Sequence, residues 1–187
     1  MKTVNTIKKL SLTGAVILAI FFSSCSKDSA TPSAPPAANS GSFINAKIDG
    51  ATYSSATSAL SNTIASKGGT GAGTFVSLLG TLTSNVTASG ATTESVTINL
   101  LGVTATGTYP LNLANKDTAQ LGYTYAPSGG TAIGYTTGDC SGTTGTLIIT
   151  SFTATQIEGT FTCTTKKETT CNLTKTITEG SFKGIFQ

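Results

Sequence analysis

The chain has 187 residues, of which 38% are hydrophobic and 10% charged, and its formal net charge at neutral pH is +3. It contains no histidine, arginine or tryptophan. Without arginine, and with eleven lysines spread along the chain, it lacks the side chains with which proteins usually bind nucleic acids. Without histidine, Ser-His-Asp and Cys-His catalytic sites are excluded, and we predict no metal site and no cofactor.

The first 24 residues have the pattern of an export signal. Three lysines are followed by an apolar run over residues 10–22. This run is shorter than the roughly 20 residues that a helix needs to cross a bilayer core. The run closes with residues 22–25, Phe-Ser-Ser-Cys, which resemble the lipobox of bacterial lipoprotein signals. The alternatives are an ordinary signal peptide that happens to contain a cysteine, or an uncleaved anchor.

Cys25 is therefore the predicted lipidation site. The resemblance implies that Cys25 becomes the first mature residue and carries several acyl chains. Two or more chains hold a protein stably on a membrane, at about 0.8 kcal/mol per buried methylene. Ser26 follows the cysteine, and under the enterobacterial sorting rule this favours the outer membrane. We expect a cell-envelope protein, attached to the outer membrane by its lipid and facing the periplasm or the exterior.

The rest of the chain is predicted to contain a tether and a single domain. Residues 25–42 include three prolines among small and polar residues, without apolar periodicity, which is typical of a flexible linker. Apolar residues recur at short intervals from residue 43 onward, so residues 43–187 have the composition and length of one domain. Beyond the signal the chain carries eight lysines and eight acidic residues, and is formally neutral.

The predicted domain is rich in strand signals, and no segment keeps the repeat of an amphipathic helix. Threonine, whose branched Cβ packs well on a pleated surface, occupies 38 positions. Val96, Ile98 and Leu100 alternate with Thr97 and Asn99, as in a strand with one buried face. The predicted strands are 43–48, 51–54, 74–83, 94–101, 107–113, 121–126, 132–136, 145–152, 156–165 and 171–186. We expect an all-β fold, an antiparallel β-sandwich or barrel-like domain of nine or ten strands.

Three cysteines follow Cys25, and export would place them in an oxidising compartment. Pairing Cys163 with Cys171 across a hairpin also brings the apolar residues of two strands together on one face. This register predicts a Cys163–Cys171 disulfide. Cys140 is then free or partnered elsewhere, and bridges from Cys140 to either of the others stay open as alternatives.

The end of the last strand predicts an irregularity. In the same register Ile157 lies opposite Ile177, with both side chains on the buried face. Beyond Ile177 the apolar residues Phe182 and Phe186 change parity. A bulge or bend near residues 179–180 would restore them to the same face.

Seven acidic residues of the predicted domain are scattered singly along the sequence. They are Asp49, Glu94, Asp117, Asp139, Glu158, Glu168 and Glu179. Two carboxyl groups that meet in the fold could do the work of a glycosidase. The simpler interpretation is that all seven are solvated or lie in turns, and we predict no catalytic residue.

Tyrosines and glycines suggest two further kinds of site. Tyr53, Tyr109, Tyr123, Tyr125 and Tyr135 could form a face on which a sugar ring stacks, although core packing explains them equally well. The glycine-rich segment 68–73 has the composition of a phosphate-binding loop. It lacks the lysine, the hydroxyl residue and the following helix of such a loop, so we expect a mobile connection between strands.

Several segments resemble proteins of Bacteroidetes. The segments AKIDG (46–50), GTYPL (107–111), GTLIIT (145–150), IEGTF (157–161) and ITEGSF (177–182) together resemble a family of lipoprotein domains of unknown function. That resemblance implies an all-β lipoprotein domain without catalytic residues. Asp28-Ser29-Ala30 and Asp117-Thr118-Ala119 resemble the O-glycosylation acceptor pattern of exported proteins, which makes Ser29 and Thr118 candidate modification sites.

The function predicted from the sequence is that of a lipid-anchored, non-catalytic envelope domain. Its expected partners are the membrane, through the lipid, and a glycan, a peptide or another envelope protein, with no nucleic acid. A glycan-directed hydrolase with paired carboxylates is one alternative. A purely structural envelope component is the other.

Overall fold

The computed structural model describes residues 41–57 and 59–187, which form strands and two short 3₁₀ turns. The predicted signal, Cys25, Ser29 and residues 25–40 of the tether lie outside the described residues. Eleven described strands form one antiparallel sheet that curls into a half-barrel. The predicted all-β, antiparallel, barrel-like fold is confirmed, with one strand more than the upper predicted count. No helix in the described part of the chain is long and apolar enough to span a bilayer.

Most of the strands lie close to the predicted ranges. They are β1 (Phe43–Ile48), β2 (Ala51–Ser54), β3 (Asn62–Gly68), β4 (Phe75–Thr87), β5 (Gly90–Leu101), β6 (Gly107–Pro110), β7 (Ala119–Ala126), β8 (Ile133–Thr136), β9 (Thr144–Phe152), β10 (Gln156–Lys167) and β11 (Thr174–Ile185). The 3₁₀ turns are Gly71–Gly73, between β3 and β4, and Leu113–Asn115, between β6 and β7.

The strand order across the sheet is β2-β1-β11-β10-β8-β7-β5-β4-β3. Along one edge β10 pairs with β11, and along the other it pairs with β9 and, at its last residues, with β8. Strand β6 adds to the free edge of β9. The sheet therefore forks at β10, and the branch that continues through β8 and β7 positions the site described below.

Alternation along the strands builds the core. Val96, Ile98 and Leu100 are at most 2% exposed, as the sequence pattern predicts. Every second residue of the neighbouring strands joins them on the concave face. The largest fully buried side chains are Tyr53, Phe182, Ile44, Leu78, Ile98, Leu111, Leu121, Leu147, Ile149, Ile157, Ile177 and Val76.

Glycines on the concave face make room for two phenylalanine rings. A Cβ atom at Gly180 would lie 2.4 Å from the ring of Phe161, and one at Gly159 would lie 2.7 Å from the ring of Phe182. The two rings are neighbours, with centroids 6.3 Å apart. Strands β10 and β11 therefore need glycine at these positions because the rings occupy the space that a side chain would fill.

The sequence pattern does not predict β3, because along this strand a polar residue is buried and its apolar neighbour is exposed. Thr63 is buried and Ile64 is 53% exposed. The buried Thr63 hydroxyl is hydrogen-bonded to the hydroxyl of Ser55, so its burial leaves no polar group unsatisfied. The glycine-rich segment 68–73 connects β3 to β4, as expected of a link between strands.

The predicted bulge near residues 179–180 is confirmed, and the predicted hairpin register is wrong. The pairing of β11 with β10 shifts between Ile177 and Gly180, and Glu179 has a positive φ of 52°. Cys163 lies opposite Ile177, not Cys171, because residues 168–173 form a longer turn than the predicted pairing allows.

The predicted Cys163–Cys171 disulfide is therefore wrong. Cys171 is bonded to Cys140, with the two Cα atoms 5.7 Å apart, and this was one of the alternatives left open by the sequence. Cys163 is free and only 4% exposed. The bridge joins the β8–β9 connection to the β10–β11 turn.

Side chains close the open side of the half-barrel. Among the described strands, β3 pairs with β4 alone, yet a Cβ atom at Gly184 of β11 would lie 2.8 Å from Cβ of Ala65 in β3. The Lys67 ammonium lies 4.6 Å from the ring centroid of Phe152 and 5.5 Å from that of Phe186. These contacts hold the edge strand against the far side of the sheet without a continuous ladder of hydrogen bonds.

Candidate functional site

A pocket of about 500 Å³ opens where the core-facing rows of several strands reach solvent. Its volume lies within the range of about 300–1,000 Å³ that is usual for small-molecule sites. The walls come from the β1–β2 turn, from β2, from β5, from β7 with β8, and from β11. The lining residues are Ile48, Asp49, Ala51, Thr52, Glu94, Tyr123, Tyr125, Ile133, Tyr135 and Lys175.

Three tyrosines form the aromatic wall of this pocket. Tyr123 and Tyr135 are cross-strand partners, with ring centroids 6.0 Å apart and planes inclined by 35°. Tyr125 occupies the next inward position of β7, opposite Ile133 on one side and Glu94 on the other. Tyr123 and Tyr135 are 4% and 6% exposed, whereas Tyr125 is half-buried. The ring of Tyr125 is thus the most accessible of the three.

Glu94 lies two residues before Val96 on β5, where the inward-facing side chains of this strand approach solvent. It has the same parity as Val96 and therefore points to the concave face. Its Oε2 accepts a hydrogen bond of 2.8 Å from the hydroxyl of Tyr123. Burial first, and then the hydrogen bond to Glu94 and its charge, raise the pKa of Tyr123 well above its usual value. Tyr123 is thus a neutral donor that orients the carboxylate.

Asp49 lies in a two-residue turn that is bound to β11. Asp49 and Gly50 both have positive φ, 47° and 84°, as a type I′ hairpin turn requires. The Oδ1 atom accepts a hydrogen bond from the backbone N–H of Thr176, and the backbone N–H of Asp49 donates to the carbonyl oxygen of Thr176, both at 2.8 Å. The Asp-Gly turn, predicted from the sequence, therefore has a defined orientation toward the pocket.

Lys175 pairs with Asp49 across this junction. Its Nζ lies 2.8 Å from Oδ2 of Asp49 and 5.9 Å from the ring centroid of Tyr135. The hydrogen bond between them lowers the pKa of Asp49 and raises that of Lys175; burial opposes both shifts. The charge of Glu94 adds to the rise in the pKa of Lys175, so both carboxylates act on one ammonium group.

The pocket offers hydrogen-bond acceptors, one ammonium group and aromatic surface. This combination suits a polar ligand with an apolar face. Within residues 41–57 and 59–187, no three His, Cys, Asp or Glu side chains are grouped so as to hold a metal ion.

The structure brings together some of the predicted candidates and separates the rest. Of the seven acidic residues, Asp49 and Glu94 share the pocket although they are far apart in the sequence. Glu158 and Glu179 form surface ion pairs with lysines, and the other three lie in connections between strands. Asp49 lies in a turn, as the simpler interpretation of the sequence predicts, whereas Glu94 is half-buried on β5 and lines the same pocket.

Three of the five tyrosines line the pocket, and Tyr53 and Tyr109 do not. Tyr53 is 1% exposed and belongs to the core, where its hydroxyl donates to the carbonyl oxygen of Gly80 at 2.6 Å. Tyr109 lies on β6, away from the pocket, and its hydroxyl donates to the carbonyl oxygen of Ala105. Core packing therefore explains Tyr53, whereas Tyr123, Tyr125 and Tyr135 lie together at the pocket wall, where sugar stacking stays a prediction.

Thr118, the second candidate glycosylation site, lies in the turn before β7 and is exposed. Its backbone N–H donates to Asn115 and its carbonyl oxygen accepts from Leu101. Two hydrogen bonds therefore hold the backbone of this exposed residue. Modification at Thr118 stays a prediction.

Lys175 is a residue of the candidate site that the sequence pattern does not single out. Lys175 has the same parity as buried Ile177, so it faces inward at the end of an apolar row, as Glu94 does in β5. In each strand a charged residue occupies the position two residues before a buried apolar one. This pattern could have identified Glu94 and Lys175 as inward-facing residues. Their proximity depends on strand order, which this signal does not contain.

No family model, curated protein or solved structure matches the chain. The candidate site is therefore inferred from the geometry of this structure alone.

Proposed function

We propose that this protein is a lipid-anchored, non-catalytic envelope protein whose β domain binds a glycan in the pocket between Asp49, Glu94 and Tyr125. The observation that carries the proposal is the meeting of three tyrosine rings and two carboxylates around one cavity of suitable volume. A pyranose ring has a face of C–H groups that packs on aromatic rings. Its hydroxyl groups donate hydrogen bonds to carboxylates.

The contacts of Asp49 favour binding over catalysis. A glycosidase of the common type needs one carboxylic acid with a raised pKa to protonate the leaving group. Asp49 instead has a lowered pKa, because Lys175 and a backbone N–H group stabilise its charged form. It suits the role of a fixed hydrogen-bond acceptor.

A glycan array, probed with the full chain in detergent and followed by calorimetry on the best ligand, tests this proposal. Replacing Tyr125 with alanine should weaken binding about tenfold, because the accessible ring is lost. The matched control is Tyr109→Ala, which removes a tyrosine outside the pocket and should leave affinity unchanged. An array with no bound glycan would contradict the proposal and favour a purely structural role.

The lipid anchor is proposed on the pattern of residues 1–25 alone. Metabolic labelling with a fatty acid should mark the wild-type protein and spare a Cys25→Ala variant. Labelling of the variant would remove the argument for an anchor at Cys25, and with it the argument for the outer membrane.

Hydrolysis of a glycan is the second candidate function, because Asp49 and Glu94 line the same pocket. Long incubation of wild-type protein with the glycan that it binds should release no product. Product formation that Glu94→Gln abolishes would establish the hydrolase instead.

A further inference from the structure

The charges that line the pocket do not balance. Two carboxylates, Asp49 and Glu94, face one ammonium group, Lys175. The ammonium group lies 2.8 Å from Asp49, which forms a complete ion pair. Glu94 belongs to no ion pair with any other described residue. Counted formally, the lining thus carries one more negative charge than positive charges.

The hydrogen bonds of Glu94 leave one of its oxygens available. Oε2 accepts from the Tyr123 hydroxyl, a neutral donor. Within the described part of the chain, Oε1 has no hydrogen-bond partner. Glu94 is half-buried and lines the pocket, so its carboxylate is within reach of a ligand bound there.

The other half of the pocket shows how its walls hold an ammonium group. Lys175 is bound by the Asp49 carboxylate and lies 5.9 Å from the ring centroid of Tyr135, so one carboxylate and one ring hold one cation. Glu94 and Tyr125 are cross-strand partners and form a similar carboxylate and ring. This second set differs because no described lysine forms an ion pair with Glu94; the Lys175 ammonium group, on which Glu94 also acts, is bonded to Asp49.

We infer that the glycan carries a protonated amino group, which binds between the Glu94 carboxylate and the Tyr125 ring. This inference rests on the proposed function and narrows its ligand to amino sugars. The ammonium group donates to Oε1, neutralises Glu94 and faces the negative π-surface of Tyr125, as Lys175 does with Asp49 and Tyr135. An acidic sugar would find Lys175 already paired and would be repelled by Glu94.

Three tetrasaccharides with the same β-1,4 linkage test this inference by calorimetry on the full chain in detergent. One consists of glucosamine, one of N-acetylglucosamine and one of glucose, so that the three differ only at carbon 2 of each ring. At about pH 6, where the amine is protonated, the glucosamine tetramer should bind about tenfold more tightly than either neutral tetramer. Higher salt should reduce that preference.

Two variants test whether Glu94 is responsible for the preference for the glucosamine tetramer. Glu94→Gln keeps an oxygen that can accept from Tyr123 but removes the charge, and it should lower the affinity for the glucosamine tetramer to that of the neutral ones. Glu158→Gln removes a carboxylate that pairs with Lys183 outside the pocket, and should change nothing. Thermal melts confirm that both variants are folded.

Each result decides between the two proposals. Equal binding of all three tetramers, or a preference that survives Glu94→Gln, would overturn the amino-sugar inference and leave glycan binding intact. Binding of none of them by folded protein would overturn the amino-sugar inference, and the glycan array then decides whether glycan binding itself stands.

Discussion

Asp49 is a turn residue that has a structural role and also lines the proposed binding site. Its carboxylate accepts from Lys175 and from the Thr176 backbone, so it holds the β1–β2 turn against β11. Its position at the pocket wall follows from the same contacts. We therefore expect stability and the proposed ligand binding to depend on the same carboxyl group.

The lowered pKa of Asp49 predicts a loss of stability in acid. Because the folded-state pKa lies below the unfolded value of 3.8, the stabilising effect is complete above that pH and is lost as the pH falls through the folded value. Asp49→Asn should cost about 1 kcal/mol or less near neutral pH, since the carboxylate is 45% exposed. Denaturant titrations at several pH values should show the difference from wild type shrinking below about pH 4.

The Lys47–Glu179 pair provides the control for this experiment. Glu179 is 66% exposed and accepts from Lys47 at 2.7 Å. Glu179→Gln should therefore change stability less than Asp49→Asn. A wild-type advantage over Asp49→Asn that stays constant into acid would contradict the assigned role of the ion pair.

Cys163 should be chemically inert in the folded protein. Burial raises the pKa of its thiol to about 12, and thiol reagents attack the thiolate. In a Cys25→Ala variant at about pH 8, an aromatic disulfide reagent should detect no thiol in native protein and one after unfolding without reduction. Peptide mapping that joins Cys163 to Cys140 or Cys171 would contradict the observed bridge.

At the scale of the strand, glycines allow β10 and β11 to pack closely against their neighbours. A Cβ atom at Gly159 would lie 2.1 Å from the carbonyl oxygen of Ile148 and 2.7 Å from the Phe182 ring. The backbone oxygen cannot rotate away as a flexible side chain can. Close packing between neighbouring strands is therefore the reason for glycine at this position.

Gly159→Ala should destabilise the protein by about 1–3 kcal/mol, the usual range for overpacking a core. Gly73→Ala is the matched control, because a Cβ atom there meets nothing within 4 Å. Chemical denaturation measures both changes. Equal stability of the two variants would show that β9 and β10 adjust to the added methyl group at little cost.

The strands also show how far local pattern predicts an element. Strands β1 and β2 and the turn between them agree with the prediction, because period-two alternation and the Asp-Gly turn are local properties. Strand β3 escapes prediction because its burial depends on a hydroxyl partner, Ser55, in another segment. Because Ile64 is exposed, the alternation of apolar and polar residues in β3 would place the wrong face of the strand in the core.

At the scale of the whole molecule, the Cys140–Cys171 bridge links two turns that the sheet brings together. The bonded residues are 31 positions apart, and the loop-entropy relation gives about 4 kcal/mol for a loop of this length. Reduction should lower the melting temperature by roughly 10 °C. Scanning calorimetry with and without reductant measures the shift.

A Cys140→Ser, Cys171→Ser double variant controls for other effects of the reductant. It should melt near the temperature of the reduced wild type and show no further shift on reduction. A variant as stable as the oxidised protein would mean that the bridge constrains the unfolded chain little.

The sequence by itself determined the all-β class, most strand positions and the bulge near residue 180, because alternation and turn propensity depend on neighbours along the chain. Only the tertiary structure decided that Cys140, not Cys163, pairs with Cys171, since a longer turn shifts the hairpin register. The pocket likewise exists only in the fold. Asp49, Glu94, Tyr125 and Lys175 meet there because strand order, which depends on long-range packing, brings four distant segments to one end of the core.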